Sequence, residues 1–129
     1  QTSAGAMGLN AFYRTRSKED LRVGFDMQLQ DVKPGGKVAV LGMSFKPNID
    51  DIRESPSVEL AKILRERGYE VLACEPFVQG DVAGFANYTL EEAVERCDYA
   101  VVTLAHDPFK AEKERIASKP FFDCVGLMR

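Results

Sequence analysis

No block of Lys and Arg runs through the 129-residue sequence, and its formal net charge of -3 argues against a broad nucleic-acid surface. Nor does any apolar run approach the roughly 20 residues needed to cross a membrane. The N-terminus lacks a charged n-region followed by an apolar h-region, so nothing argues for secretion. Histidine occurs once, at His106, and the three cysteines, Cys74, Cys97 and Cys124, are widely spaced with no CxxC pair. One histidine and scattered thiols do not make a ligand set, so no metal residue is assigned. Each cysteine stands in or beside a segment expected to be buried. That fits reduced thiols in a cytoplasmic protein better than a disulfide framework or a nucleophile. Internal repeats and low-complexity segments are also missing.

What is there is an ordinary globular balance, 45% apolar and 29% charged, in a chain long enough for one domain with a real core. Gln1–Asn10 carries no charge and is mostly small residues, so 1–16 reads as a disordered leader or a cloning scar. Ser17-Lys18-Glu19-Asp20 has the composition of a helix start. Leu21, Val23, Phe25, Met27 and Leu29 alternate with other residues as a strand would. Lys33-Pro34-Gly35-Gly36 is then a clear break.

The chain is organised around Lys37–Leu60. Val38–Leu41 predicts a fully buried strand, and Gly42 follows where a bulky side chain would crowd the chain leaving it. A charged loop with Lys46, Asp50, Asp51, Arg53 and Glu54 leads to Ser55-Pro56, a cap and a first-turn proline. A helix to about Arg67 follows, ended by Gly68. Tyr69–Cys74 predicts a second strand, and Thr89-Leu90-Glu91-Glu92 a capping box opening a helix to about Arg96. Tyr99–Leu104 reads as a third strand, Asp107–Ala117 as a helix and Phe121–Cys124 as a short last strand. The alternation predicts a small, Rossmann-like, doubly wound parallel sheet in an α/β domain. Val40 and Val102 should lie in its central strands. The charged loop between that first strand and the helix should then lie at the carboxyl edge, where open sheets of this kind bind ligands.

Lys46 and Arg53 could neutralise phosphates, or could be ordinary solvated charges paired with the loop's acids. Asp50 and Asp51 are adjacent, a poor arrangement for converging on one atom, and read as groups that hold backbone amides or Arg53. His106, past the third strand, could move a proton, but without a partner it reads better as a polar residue before the next helix. Glu75 ends the second strand, where a ribose-binding acid stands in dinucleotide sites. The first strand–helix turn, Gly42-Met43-Ser44-Phe45-Lys46, is not GxGxxG, so a solvent-facing turn acid is the better reading.

The run Gly42–Pro56, GMSFKPNIDDIRESP, resembles the signature of the UDP-glucose/GDP-mannose dehydrogenase family. It is similar to the opening of that family's C-terminal, nucleotide-sugar-binding domain, and is closest to the branch acting on UDP-N-acetyl-D-mannosamine. The resemblance continues through Glu75-Pro76 and His106–Lys110 to Phe122–Gly126. It implies a linking segment at 17–36 that is the end of a long helix, against the alternation noted above, and a nucleotide-sugar domain at 37–129. It also implies substrate contacts from Phe45 and Lys46, and an Arg53 that reaches across an interdomain cleft toward NAD. The family reaction is a two-step oxidation of the sugar C6 alcohol to a carboxylate, in polysaccharide biosynthesis, with NAD and a covalent cysteine intermediate.

Departures from the family pattern are equally plain. Its Gly-rich NAD fingerprint, its Gly-Gly-x-Cys-x-Pro nucleophile segment and its catalytic lysine region are absent, so no catalytic residue is assigned and the chain alone should not turn over. A basic residue common at the position of Val125 is missing unless Arg129 substitutes. The expected partners are a UDP-sugar and an N-terminal NAD-binding domain, with a homodimer left open and no nucleic acid or membrane. The other reading is a free-standing nucleotide-binding or assembly module that kept the fold and lost the chemistry.

Overall fold

Four short apolar strands pair side by side and all run parallel, in the order β2-β1-β3-β4. They are β1 (Lys37–Leu41), β2 (Glu70–Cys74), β3 (Tyr99–Val102) and β4 (Phe121–Asp123). The structure is a computed structural model and describes residues 32–33, 35–53 and 55–128. The expected leader at 1–16, the helix of the linking segment at 17–36 and Arg129 lie outside the described residues. Only the end of that segment is seen, where buried Val32 joins the core.

The helices among the described residues are α1 (Pro56–Glu66), α2 (Leu90–Arg96), α3 (Asp107–Lys110) and α4 (Lys113–Ala117). Alternation along the strands divides the core in two. Val38, Val40, Ala73, Val101 and Phe122 face α1 through Val58, Leu60, Ala61 and Leu64. Ala39, Leu41, Leu72, Cys74, Ala100 and Val102 face the other way, onto Ala93 and Val94 of α2, Phe109 of α3 and Ile116 of α4. The predicted doubly wound α/β sheet is therefore present, with Val40 and Val102 fully buried in its two central strands. From β1 the chain steps outward to β2, then returns past β1 to β3, so the winding reverses between β1 and β3.

Local signals in the sequence are used as read. Ser55 caps α1, its hydroxyl accepting from the Ser57 amide at 3.1 Å, with Pro56 in the first turn. Gly68 follows the helix at φ 93°, a conformation costly for a side chain. Thr89 and Glu92 form the reciprocal capping box of α2.

Besides one-residue shifts at the starts of β1 and β2, three differences from the expectation have a physical reason. The helix expected over Asp107–Ala117 is two short helices, because only Phe109 and Ile116 are buried and the residues between offer no continuous apolar stripe. The third strand stops at Val102 rather than Leu104, since β1 ends at Leu41 and leaves no strand to pair beyond it; Thr103 instead donates its hydroxyl to Leu41 O at 2.8 Å. The last strand stops at Asp123. There the carboxylate collects the amides of Val125, Gly126, Leu127 and Met128 at 2.7–3.2 Å and curls the chain around itself.

Candidate functional site

The winding reversal opens the carboxyl edge beside β1, and the loop from Gly42 to Ser55 fills it. Gly42 starts the loop at φ 111°, pressed so closely on Leu104 that a Cβ there would lie 2.7 Å from Leu104 Cβ. The loop is cinched at its neck by the Phe45 amide, which donates to Asp51 O at 2.7 Å. Ser44 donates its hydroxyl to Lys46 O at 2.8 Å, and Ser55 donates to Ser44 O at 3.1 Å. Phe45 and Lys46 sit on the exposed outside of this loop, Phe45 with 47% of its surface open and the Lys46 ammonium 6.0 Å from its ring centre. Ile49 and Phe77 are the other large apolar side chains left open among the described residues.

Beneath the loop lies an arrangement that sequence reasoning missed. Glu75 is not a solvent-facing turn acid: it is buried, and its Oε1 accepts from the Met43 amide at 2.8 Å and the Ser44 amide at 3.0 Å. The same oxygen meets His106 Nε2 at 2.9 Å, and Oε2 accepts from the Phe77 amide at 3.0 Å. His106, read as a polar residue ahead of a helix, is wholly buried instead, its ring flanked by Phe77 and Phe109. Its Nδ1 accepts from the Asn48 amide at 2.8 Å, which places the ring proton on Nε2, toward the carboxylate. Asn48 holds φ 63°, and its side-chain oxygen accepts from the Asp107 amide at the start of α3 at 2.9 Å.

Burial by itself would push the Glu75 carboxyl up, but the hydrogen bonds from His106, Met43 and Phe77 outweigh it and hold the acid below its ordinary value. The available signal was topological. Glu75 and His106 end or follow β2 and β3, the two strands flanking β1, so order β2-β1-β3 places them on either side of the β1 loop.

Arg53 bonds to Asp51 within the same loop. It grips Asp51 with Nε at 3.0 Å and Nη2 at 2.9 Å, and remains 86% exposed. That hydrogen bond, with a second from the Arg53 amide, brings the Asp51 carboxyl down to about 2. The expectation that Asp51 would hold Arg53 is met. All three thiols are buried: burial, reinforced by the Glu75 charge, pushes Cys74 up to about 12, and burial also raises Cys97 and Cys124. Val125 is half-buried and packs against both halves of the core.

These residues do not form a cradle for a dinucleotide. Leu104 packs closely on Gly42, and Glu75 is spent on backbone amides rather than open to a ribose.

Residues 39–129 match the UDP-glucose/GDP-mannose dehydrogenase family, UDP binding domain. The UDP-N-acetyl-D-mannosamine dehydrogenase of Methanocaldococcus jannaschii is 38% identical over 88 residues, 65% of this chain and 20% of that protein. The enzyme of the same name from Escherichia coli K12 is 37% identical over 99 residues, 72% of this chain and 24% of that one. The chain thus spans about a quarter or less of these relatives. Among solved structures, a ternary complex of GDP-mannose dehydrogenase from Pseudomonas aeruginosa superposes with TM-score 0.67 at 30% identity, over 81% of this chain and 27% of that one. The UDP-D-ManNAc dehydrogenase of Pyrococcus horikoshii gives TM-score 0.67 at 26% identity, over 95% and 28%.

Proposed function

Because this chain belongs to the UDP-glucose/GDP-mannose dehydrogenase family through its UDP-binding domain, we propose that it is the nucleotide-sugar-binding part of an NAD-dependent nucleotide-sugar 6-dehydrogenase. The observation that carries this reading is the Gly42–Pro56 loop. It stands at the carboxyl edge of a central strand with an aromatic ring and an ammonium side by side on its open surface. Lys46 would supply a point charge to the diphosphate, and Phe45 an apolar surface to the nucleotide. The sugar we favour is UDP-N-acetylmannosamine or a close relative, oxidised at C6 to the carboxylate.

NAD would be held by a separate N-terminal domain, in keeping with the lack of a dinucleotide cradle among the described residues. Arg53 is exposed on the same edge and would reach toward that NAD. Residues 37–129 would be the nucleotide-sugar domain, 17–36 the link and 1–16 a leader. A homodimer would be compatible with this arrangement, and the buried, raised thiols suit a reducing cytoplasm. Among the described residues no helix is long and apolar enough to cross a membrane.

One observation favours a second reading, a free-standing module without the chemistry. Val125, half-buried against the core, offers no charge to a substrate. Calorimetric titration of the chain with UDP, UDP-N-acetylmannosamine and NAD, each alone, tests the first reading. The dehydrogenase reading expects both uridine ligands to bind and NAD not to; no heat with either uridine ligand would sink it.

A further inference from the structure

We propose that Glu75 and His106 are positioning residues for the nucleotide-sugar loop, holding Phe45 and Lys46 in place by gripping the backbone on both sides of them. This deepens the proposed function and rests on it. The grip on one side is the pair of amides of Met43 and Ser44, both on Glu75 Oε1 at 2.8 and 3.0 Å. On the other side it is the Asn48 amide on His106 Nδ1 at 2.8 Å. Phe45 and Lys46 lie between these two points. The two gripping side chains are joined to each other at 2.9 Å, so the loop is tied to the ends of β2 and β3 at once.

Neither side chain has any surface open to solvent, so neither can touch a bound molecule and both must act through the loop. The carboxylate suits this task. It carries a full charge, accepts four donors at once and fixes the amides more tightly than a neutral acceptor would. Its second oxygen takes the Phe77 amide, which extends the same hold to the exposed Phe77. A pair serving stability alone would also resist disruption, because losing one partner strands the other. What separates the two roles is whether damage stays in the loop.

The test uses the full 129-residue chain, with UDP as the probe, titration calorimetry for affinity and amide hydrogen exchange for local order. Glu75→Gln keeps the shape and removes the charge. The expected result is a folded chain in which strand amides of β1 and β3 stay protected. Met43, Ser44, Asn48 and Phe77 amides exchange at least tenfold faster, and the UDP dissociation constant rises at least tenfold. His106→Gln can still donate to Glu75 and accept from Asn48, so it should retain more affinity than His106→Ala. Wild-type affinity in Glu75→Gln, or loop amides as protected as before, would overturn the proposal. Should Glu75→Gln not fold, the wild-type chain decides. Met43 and Ser44 amides must exchange as slowly as those of β1, and fast exchange there refutes the grip. If the wild-type chain binds no UDP, the nucleotide-sugar reading falls, while the exchange data still judge the hold on the loop.

Discussion

Glu75 Oε1 lies 2.9 Å from His106 Nε2, and both side chains are shut off from solvent. The Asn48 amide occupies the other ring nitrogen, so the charge of the pair rests on the carboxylate, which is met by donors on every accessible side. This arrangement has a definite pH signature. In the folded chain Glu75 sits below the ordinary glutamate value of 4.5, so folding favours its charged form. Its contribution to stability is therefore fully present above the unfolded value and is lost as pH falls through the folded one. The titratable neighbours that face it are His106 and Cys74, and the thiol is raised far out of the acid range. Urea midpoints measured from pH 7 down to pH 3 should fall more steeply for wild type than for Glu75→Gln, with the gap closing at the acid end. Parallel curves would show that Glu75 is not held ionised.

Val40 and Val102 stand in adjacent central strands but on opposite faces of the sheet. Alanine at either removes buried methyl groups from a site covered by helices. Each should cost about 1–3 kcal/mol, read from denaturant unfolding. A midpoint that barely moves for both would contradict three-layer packing.

Two glycines with positive φ make a controlled comparison. Gly68 has open space where a Cβ would go, so Gly68→Ala should cost only the left-handed backbone, about 1–2 kcal/mol. Gly42→Ala also meets a positive φ, at 111°, and drives a methyl into Leu104 Cβ at 2.7 Å. It should be the more damaging of the two in thermal unfolding, and the reverse order would mean that Leu104 yields freely.

Lys46 and Arg53 should divide the ligand contacts between them. Lys46→Ala should weaken UDP-sugar binding by about 1.5–3 kcal/mol, the scale of a charged hydrogen bond. Arg53→Ala should leave UDP-sugar binding by this chain nearly unchanged and act only where NAD is bound by a fuller protein. Calorimetry on the two variants checks this, and equal losses would defeat the division.

The features legible in the sequence were those set by near neighbours. Ser55-Pro56 and the Thr89–Glu92 box work within three residues, and the apolar runs of β1 and β3 announce burial without reference to a partner. Gly42 was read correctly because crowding at a strand end is also a local matter. Glu75 was misread because its partners Met43, Ser44 and His106 stand 31 or 32 positions away, and Asn48 lies 58 from His106. A charged residue before proline looks like a turn until the fold supplies donors. The break in the Asp107–Ala117 helix was hidden for a related reason. Its start signal is real, but only the sheet reveals that two side chains alone reach the core.

The position of β1 between β2 and β3 has a consequence for how the chain is made. Segments near the N-terminus leave the ribosome first. β1 can pair with β2 once α1 has formed, but its other side waits for β3, which follows only after the 75–89 connection and α2. Throughout that interval Val38–Leu41 presents a bare aliphatic edge, the kind of surface on which another nascent chain can add a strand. A protein truncated at Asp98 would keep that edge for good and should sediment with aggregates, whereas synthesis past Val102 closes it from within.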